Sequence, residues 1–191
     1  MKRFLTWIES PRHAAFLILL VTLLGSGWIA ASAAPDGSTT AGRIPSPRAG
    51  FLAPDFTLDT LDSSTIRLDS LRGQVVVINL WASWCSPCRA EMPALQRVYE
   101  ETEGMGVAVL GVNMTAQDTE TRVEGFVREY GLTFPILLDR EGSVGRIYRS
   151  RALPTTFFVD RMGVIREVVV GGPLSETTLR SILMPLISEA E

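Results

Sequence analysis

The chain has 191 residues, of which 46% are hydrophobic and 20% charged, which suggests one ordinary domain and an additional segment. The formal net charge of −3 provides no basic surface for nucleic acid, so nucleic-acid-binding proteins are excluded as a class. The only histidine is His13 and the only lysine is Lys2. The remainder of the chain therefore cannot build a Ser-His-Asp triad, a histidine-ligated metal site or a lysine Schiff base, and we expect neither a metal nor another cofactor.

An uncharged apolar segment occupies residues 14–34 and follows three basic residues. Because positive residues tend to stay in the cytoplasm, this asymmetry places residues 1–13 in the cytoplasm and the domain on the far side of the membrane. The segment is long enough to span the bilayer as a signal-anchor helix, but the small residues at 31–33 also fit cleavage of a signal peptide. Both alternatives export the domain. A segment that is apolar on every face is not typical of a helix in a soluble protein.

Residues 35–50 are rich in Pro, Gly, Ser and Thr, which is typical of a flexible linker, and residues 51–191 form the domain. Apolar residues alternate in the first elements of the domain and then become continuous, which indicates a hairpin followed by buried strands. The first predicted elements are a hairpin formed by residues 56–61 and 65–71, a buried strand over 74–82, a helix over Ser86–Glu103 and a second buried strand over 107–114.

Predicted strands and helices also alternate in the second half of the domain. We expect a helix over Thr119–Tyr130 that ends at Gly131, since glycine is preferred just beyond helix C-termini. The elements after it are a short strand over 134–139, a short helix over 143–148, a hairpin formed by 155–160 and 164–170, and a final helix from Ser175 that Pro185 kinks or ends. This order indicates an α/β fold with a mixed central sheet flanked by helices.

Both cysteines of the chain lie in Trp81–Pro93, which reads WASWCSPCRAEMP. Cys85 follows the predicted buried strand, and Cys88 lies one helical turn later, within reach of a disulfide. At a helix N-terminus, the unpaired N–H groups and the helix dipole favour a thiolate, which is the species that attacks disulfides. Pro87 suits the first helical turn. The spacing therefore predicts a redox-active disulfide with Cys85 as the attacking residue and Cys88 as the resolving residue.

Other uses of a C-x-x-C motif fit this sequence less well. A structural zinc site needs four ligands, which two cysteines do not supply. Haem attachment needs a histidine directly after the second cysteine, where this chain has Arg89. A purely structural disulfide would close a very small loop and would restrict the unfolded chain little. The redox-active interpretation is therefore favoured.

Two stretches, VVVINLWASWCSPCRAEMP at 75–93 and LPTTFFVD at 153–160, together resemble the thioredoxin superfamily and, within it, the TlpA/ResA-like membrane-anchored thiol–disulfide oxidoreductases. The resemblance implies a thioredoxin fold with an N-terminal β-hairpin and a central insertion near Asn113–Asp139. Such proteins act outside the cytoplasmic membrane as reductases, often in cytochrome c maturation. The resemblance therefore implies protein disulfide substrates such as apocytochrome c and a transmembrane electron donor.

The same resemblance implies roles for several residues near the dithiol. Pro154 matches the family's cis-proline, which packs opposite the dithiol. Leu153 would line the substrate groove, where its backbone would pair with an extended substrate segment. Trp84 would shield the dithiol, whereas Trp81 would pack in the core. Pro93 would kink the active-site helix.

The second thiol needs a partner for its proton. Asn79 stands where thioredoxins carry a buried aspartate, and an amide does not titrate. Glu91 lies three residues after Cys88 on the same helix face, and a partly buried carboxyl group there would have a raised pKa and act as acid and base for Cys88. The alternative is that Glu91 is a solvated carboxylate early in the helix, where its negative charge interacts favourably with the helix dipole. Ser86 replaces a glutamate common in ResA-like proteins, which weakens any transfer of their substrate preference.

The leading hypothesis is an enzyme, a protein thiol–disulfide oxidoreductase that reduces disulfides on the extracytoplasmic side of the membrane. The alternatives are a peroxiredoxin-type peroxidase, a disulfide-forming oxidase and a tethered interaction or chaperone module. Peroxiredoxins have a threonine three residues before the reactive cysteine, where this chain has Ala82. The direction of the reaction depends on the reduction potential, which the sequence does not determine. Arg146, Arg149 and Arg151 are interpreted as a solvated face without a role.

Overall fold

The computed structural model describes residues 44–189 and, nearer the N-terminus, the helical positions Ala15, Leu19, Val21 and Thr22. Apart from those four positions, the predicted apolar segment 14–34 lies outside the described residues, and so do residues 1–13 and most of the predicted linker. No helix within the described residues is long and apolar enough to cross a membrane. The chain divides into two units, and the fold below is that of the second, Thr39–Glu191.

Strands and helices alternate along the described part of this unit. In chain order they are β1 (Thr57–Asp59), β2 (Thr65–Arg67), β3 (Val75–Trp81), α1 (Ser86–Glu101), β4 (Val107–Asn113), α2 (Glu120–Tyr130), β5 (Ile136–Leu138), α3 (Ser143–Ile147), β6 (Thr155–Val159), β7 (Ile165–Val170) and α4 (Glu176–Ser188). Short 3-10 turns follow β2 and β4.

A five-stranded mixed sheet with the order β5-β4-β3-β6-β7 forms the centre of the domain. β4 runs parallel to β3 and β5, whereas β6 runs antiparallel to β3 and β7. β1 and β2 pair with each other in a separate antiparallel sheet, where Leu58 lies opposite Ile66. The predicted α/β fold with a mixed central sheet and an N-terminal hairpin is confirmed.

Strand β3 is buried along its whole length because its two faces contribute to different halves of the core. Val75 and Trp81 pack on one side with apolar side chains of α1 and α4. Ile78 and Leu80 pack on the other side with side chains of α3 and of the segment around β1 and β2. A strand covered on both faces requires the continuous apolar run seen in the sequence. The residues that follow Trp81 therefore emerge at the carboxyl edge of a rigid central strand.

The segment before β1 is held against the sheet. The backbone N–H of Gly50 donates a 2.7 Å hydrogen bond to the carbonyl oxygen of Ile165. Farther on, the hydroxyl of Tyr148 donates a 2.8 Å hydrogen bond to the carbonyl oxygen of Pro54. The contacts of the domain therefore begin before Phe51, where the sequence analysis placed its boundary.

Helix ends follow the local sequence closely. α1 ends at Glu101, two residues before its predicted end. α2 ends before Gly131, whose φ of +60° lies in the left-handed region that glycine adopts readily. The hydroxyl of Ser175 accepts a 3.1 Å hydrogen bond from the N–H of Thr178 and so caps α4 as predicted. α4 continues through Pro185 instead of ending there.

Candidate active site

The two cysteines form a disulfide at the start of α1. Cys85 is the N-cap residue of this helix, and its Cα atom lies 5.2 Å from that of Cys88. The backbone N–H of Cys88 donates a 3.3 Å hydrogen bond to Sγ of Cys85. A donor in the first helical turn stabilises negative charge on this sulfur once the disulfide is reduced.

The two cysteines differ in their access to solvent. Cys85 is 5% exposed and borders an open groove, whereas Cys88 is 0% exposed. Another molecule can therefore approach Cys85 from the groove, whereas Cys88 has no exposed surface. Pro87 lies between them in the first turn of α1 and also lines the groove.

The groove beside Cys85 has a volume of about 660 Å³. Trp84 is one of its lining residues and is 52% exposed. The indole Nε1 of Trp84 donates a 2.9 Å hydrogen bond to the carbonyl oxygen of Gln117, which lies in the turn after β4. This bond holds the exposed indole next to the dithiol. Trp81, by contrast, is fully buried and packs against Phe126 with ring centroids 4.7 Å apart.

Leu153 lies at the same groove, and Pro154 follows it directly before β6. The peptide bond between them is cis, which is the form that the resemblance implies. Pro154 is buried, and its carbonyl oxygen accepts a 2.8 Å hydrogen bond from the N–H of Gly171. Leu153 lines the groove, and within the described part of the chain its backbone N–H and C=O have no hydrogen-bond partner. These groups are free to pair with an extended segment of another protein.

Glu91 is fully buried on α1, which excludes a solvated carboxylate. Its Oε1 accepts a 2.7 Å hydrogen bond from Nδ2 of Asn79, and its Oε2 accepts a 2.9 Å hydrogen bond from the N–H of Leu174. Burial raises the pKa of Glu91, and these two hydrogen bonds offset the rise only in part. The carboxyl group therefore exchanges its proton at a pH closer to neutrality than an exposed glutamate does.

Asn79 connects Glu91 to the central sheet. Its Nδ2 also donates a 2.9 Å hydrogen bond to Oγ1 of Thr156, on the neighbouring strand β6. Its Oδ1 is buried and has no hydrogen-bond partner among the described residues. A rotation of the amide by 180° would turn Oδ1 towards Glu91, where it would accept the proton of a neutral carboxyl group. The pair is thus compatible with both protonation states of Glu91.

Asp118 is a site residue that the sequence analysis missed. Its carboxylate accepts hydrogen bonds from the N–H and the hydroxyl of Ser83, both 2.7 Å long, and one of 3.2 Å from Nδ2 of Asn113. Burial raises the pKa of Asp118, but the hydrogen bonds outweigh it and lower the pKa overall. The carboxylate joins the loop that carries Trp84 to the end of β4. The sequence offered one signal for this contact. Adjacent parallel strands end at the same edge of a sheet, so the segments that follow β3 and β4 are expected to lie near each other.

Gly172 is a second residue that the sequence analysis missed. A Cβ atom at this position would lie 2.7 Å from Oε2 of Glu91 and 2.7 Å from Cγ of Pro154. Glycine therefore allows the chain to pass between these two side chains and to bring the N–H of Leu174 to the carboxylate. No sequence pattern marks this contact, since its donor is a backbone group.

The remaining predicted residues of this region lie on α1. Ser86 is the first residue of the helix and lines the groove, so an uncharged side chain follows Cys85. Pro93 lies within the helix, which continues beyond it to Glu101. The structure thus gathers Cys85, Trp84, Pro87 and Leu153 at one groove, while Glu91 is buried farther along α1.

Similarity to known proteins extends over most of the domain. The model of the AhpC/TSA family matches residues 49–168. The thiol-disulfide oxidoreductase ResA of Oceanobacillus iheyensis is 42% identical over 128 residues. These residues are 65% of this chain and 66% of that protein, so the match spans just under two thirds of the length of each. The thioredoxin-like protein YneN of Bacillus subtilis is 42% identical over 123 residues, which are 64% of this chain and 71% of that protein.

Solved structures resemble the domain in the same way. StoA from Bacillus subtilis superposes with a TM-score of 0.59 at 30% identity, covering 67% of this chain and 95% of its own. A putative thiol:disulfide interchange protein DsbE from Chlorobium tepidum superposes with a TM-score of 0.66 at 28% identity, covering 72% of this chain and 96% of its own. The fold is therefore thioredoxin-like.

Proposed function

The chain belongs to the AhpC/TSA family and is a protein thiol–disulfide oxidoreductase, and within this class we propose that it reduces disulfides of exported proteins. The observation that carries the proposal is the asymmetry of the dithiol. Cys85 borders an open groove and accepts a hydrogen bond from a helix N-terminus, while Cys88 is buried behind it. This arrangement suits one attacking thiolate and one resolving thiol.

The first step is attack on the substrate. The thiolate of Cys85 forms a bond with one sulfur of a substrate disulfide, and the bond between the two substrate sulfurs breaks. The second substrate sulfur leaves as a thiolate and takes a proton from water. The unpaired backbone groups of Leu153 support this step, since an extended substrate segment would pair with them and bring its disulfide to Cys85.

The second step resolves the mixed disulfide. Cys88 loses its proton and attacks Sγ of Cys85, and the remaining substrate sulfur leaves as a thiolate. We assign the role of proton acceptor to Glu91, one helical turn after Cys88, because its buried carboxyl group has a raised pKa. Two electrons pass from the dithiol to the substrate, and the protein is left with the Cys85–Cys88 disulfide.

The oxidised protein needs two electrons before it can act again. We propose a transmembrane thiol carrier as the donor, because the N-terminal pattern of charge and hydrophobicity indicates a membrane-anchored or exported domain. In this setting, apocytochrome c is one candidate substrate. The similarity to proteins named thiol-disulfide oxidoreductase ResA supports the dithiol chemistry of this proposal.

The reductase proposal is tested first by substituting each cysteine. We expect Cys85→Ser to abolish the reduction of insulin disulfides, and we expect Cys88→Ser to stop turnover after the mixed disulfide has formed. Mass spectrometry of the Cys88→Ser protein after mixing with a disulfide substrate would detect that adduct on Cys85. Activity retained by Cys85→Ser would contradict the mechanism.

The substrate is identified by trapping. Full-length Cys88→Ser expressed in the native host should retain substrates through a disulfide to Cys85. An apocytochrome c or one maturation protein as the dominant adduct would support a dedicated reductase. Many exported proteins would indicate a general exchange enzyme.

The direction of the reaction is tested separately by the reduction potential. A difference of about 30 mV already corresponds to about 1.4 kcal/mol for this two-electron couple. A potential well below that of the substrate disulfides would support a reductase, and one well above it would support an oxidase. Peroxide consumption by the reduced protein tests the peroxidase alternative, against which Ala82 already argues.

A further inference from the structure

Two arginines line the dithiol groove, and a third lies between them in the chain. Arg146 and Arg151 line the groove together with Cys85, and Arg149 lies between them in the chain. All three side chains are exposed, and within residues 44–189 none of them forms an ion pair with a carboxylate. Elsewhere in the described part of the domain, ion pairs are formed by Arg67, Arg72, Arg89, Arg97, Arg140, Arg166 and Arg180. In that part, Arg48, Arg122, Arg128 and Arg161 form none, but none of these four lines the dithiol groove.

The other lining residues neutralise only part of this charge. Glu141 is the one carboxylate among the lining residues of the groove, against two arginines. Arg146 donates a 2.7 Å hydrogen bond to the backbone carbonyl of Glu141, not to its carboxylate. Ser86 and Pro87, between the two cysteines, are uncharged. The groove therefore presents a net positive charge to whatever approaches Cys85.

Arg149 occupies a backbone position that glycine would adopt more easily. Its φ is +50°, in the left-handed region that is unfavourable for an ordinary L-residue. It follows the end of α3, where the N–H of Ser150 donates to the carbonyl oxygen of Gly145 and the N–H of Arg149 donates to that of Arg146. This pattern is a Schellman motif, whose left-handed residue is usually glycine. A charged residue is thus kept in the chain between Arg146 and Arg151 despite its conformational cost, which points to a function.

We propose that Arg146, Arg149 and Arg151, here called the groove arginines, select disulfide substrates whose cysteines are flanked by aspartate or glutamate. The inference rests on the proposed reductase function and specifies its substrate class. Guanidinium groups bind carboxylates with two parallel hydrogen bonds, and the groove arginines have no ion pair within the described residues to break first. A positive groove also accelerates the encounter with an acidic segment and slows the encounter with a basic one.

The test uses three synthetic peptides, each with one C-x-x-C disulfide flanked by Glu, Gln or Lys at the same positions. The rate constant for oxidation of the reduced full-length protein by each peptide would be measured by quenched mass spectrometry. We expect the wild-type protein to react about 10-fold faster with the Glu peptide than with the Lys peptide at low salt. The preference should shrink as ionic strength rises, because the charges are exposed.

Two variants assign the preference to the groove. Arg146→Gln/Arg151→Gln should lower the Glu/Lys ratio most of the way towards that of uncharged reactants, with Arg149 left to supply the remainder. Arg48→Gln/Arg161→Gln removes the same charge and should retain the wild-type ratio, since both residues lie at the opposite end of the sheet near Gly163 and Ile165. Dividing the wild-type ratio by the variant ratio cancels any intrinsic difference in reactivity between the peptides.

The outcomes separate this inference from the proposed function. A Glu/Lys ratio that is the same in the wild-type protein and in Arg146→Gln/Arg151→Gln would overturn the inference while leaving the reductase intact. Failure of the wild-type protein to reduce even the Gln peptide would instead contradict the proposed function. Loss of reaction with all peptides in Cys85→Ser would show that the rates report on the dithiol.

Discussion

The backbone N–H of Leu174 donates a 2.9 Å hydrogen bond to Oε2 of Glu91, a buried carboxylate 83 residues earlier in the chain. The other carboxylate oxygen is bound by Asn79 on the central strand. Glu91 is thus held between the sheet and the loop before α4, one helical turn beyond Cys88. Its position is set by groups that do not themselves titrate, so its protonation can change while its place is kept.

The first prediction concerns the stability of Glu91→Gln as a function of pH. Burial raises the pKa of Glu91 in the folded protein above its value in the unfolded chain. The folded state therefore binds the proton of Glu91 more tightly than the unfolded chain does, and this tighter binding stabilises the fold. The stabilisation is fully present below the pKa of the unfolded chain and is lost as pH rises through the pKa of the folded protein. When the free energy of unfolding is measured with urea at several pH values, Glu91→Gln should not show this decline with rising pH. Glu124→Gln, an exposed change on α2, should show the wild-type pH dependence.

The second prediction concerns the activity of the same variant. Without a carboxylate to accept the proton of Cys88, resolution of the mixed disulfide should slow by roughly 10- to 100-fold, while attack by Cys85 remains near the wild-type rate. Rapid mixing followed by acid quench and mass spectrometry separates the two steps. A variant in which attack slows as much as resolution would show that Glu91 acts on the fold of the site and not on Cys88.

The third prediction places a second carboxylate next to Glu91. In Asn79→Asp, two buried carboxyl groups would lie at the 2.7 Å distance that now joins Nδ2 and Oε1. Two like charges at this distance cannot both ionise easily, so the pair would share one proton and its upper apparent pKa would rise. We expect the pH profile of the resolving step to move to higher pH. An unchanged profile would contradict the role of Glu91 as proton acceptor.

Much of this site could be predicted because its signals are local in the sequence. The buried run of β3, the spacing of Cys85 and Cys88, and the position of Glu91 one turn later each depend on neighbouring residues. Helix and strand periodicity translate such patterns directly into faces and edges. The predicted positions of Trp84 and Leu153 at one groove depended instead on the resemblance to a family.

The contacts that could not be predicted join distant parts of the chain through ordinary polar groups. Asp118 binds Ser83 across 35 residues, and an aspartate in a turn carries no mark of its partner. Leu174 acts through its backbone N–H, which every residue except proline possesses. From the sequence alone, the groove arginines were interpreted as a solvated face. Whether an arginine forms an ion pair depends on which carboxylates lie near it in the folded chain, and the sequence does not show this.

The fourth prediction tests the contact between Asp118 and Ser83. In Asp118→Ala, the loss of several hydrogen bonds to a charged acceptor should lower the free energy of unfolding by about 2–3 kcal/mol at pH 7. The pKa of Asp118 is lowered in the folded state, so its contribution to stability is present above the unfolded pKa and is lost as pH falls through the folded pKa. The difference from wild type should therefore shrink in acid.

A surface change provides the control for Asp118. Asp69 forms an exposed ion pair with Arg72, so Asp69→Ala should cost less than about 1 kcal/mol. Equal costs for Asp69→Ala and Asp118→Ala at pH 7 would show that the loop before Trp84 does not depend on Asp118. Intrinsic fluorescence of Trp84 near the dithiol provides an independent measure of how well that loop is held.

The last prediction separates the conformational cost of Arg149 from its charge. Arg149→Gly should raise the free energy of unfolding by about 0.5–1 kcal/mol, because glycine adopts the left-handed conformation without strain but has more freedom in the unfolded chain. Ser63→Gly, at the other described non-glycine position with positive φ, should stabilise the protein to a similar extent. Only Arg149→Gly should weaken the preference for peptides with acidic flanks. If Arg149→Gly instead destabilised the protein while Ser63→Gly stabilised it, the arginine would be retained for a structural contact and not for its charge at the groove.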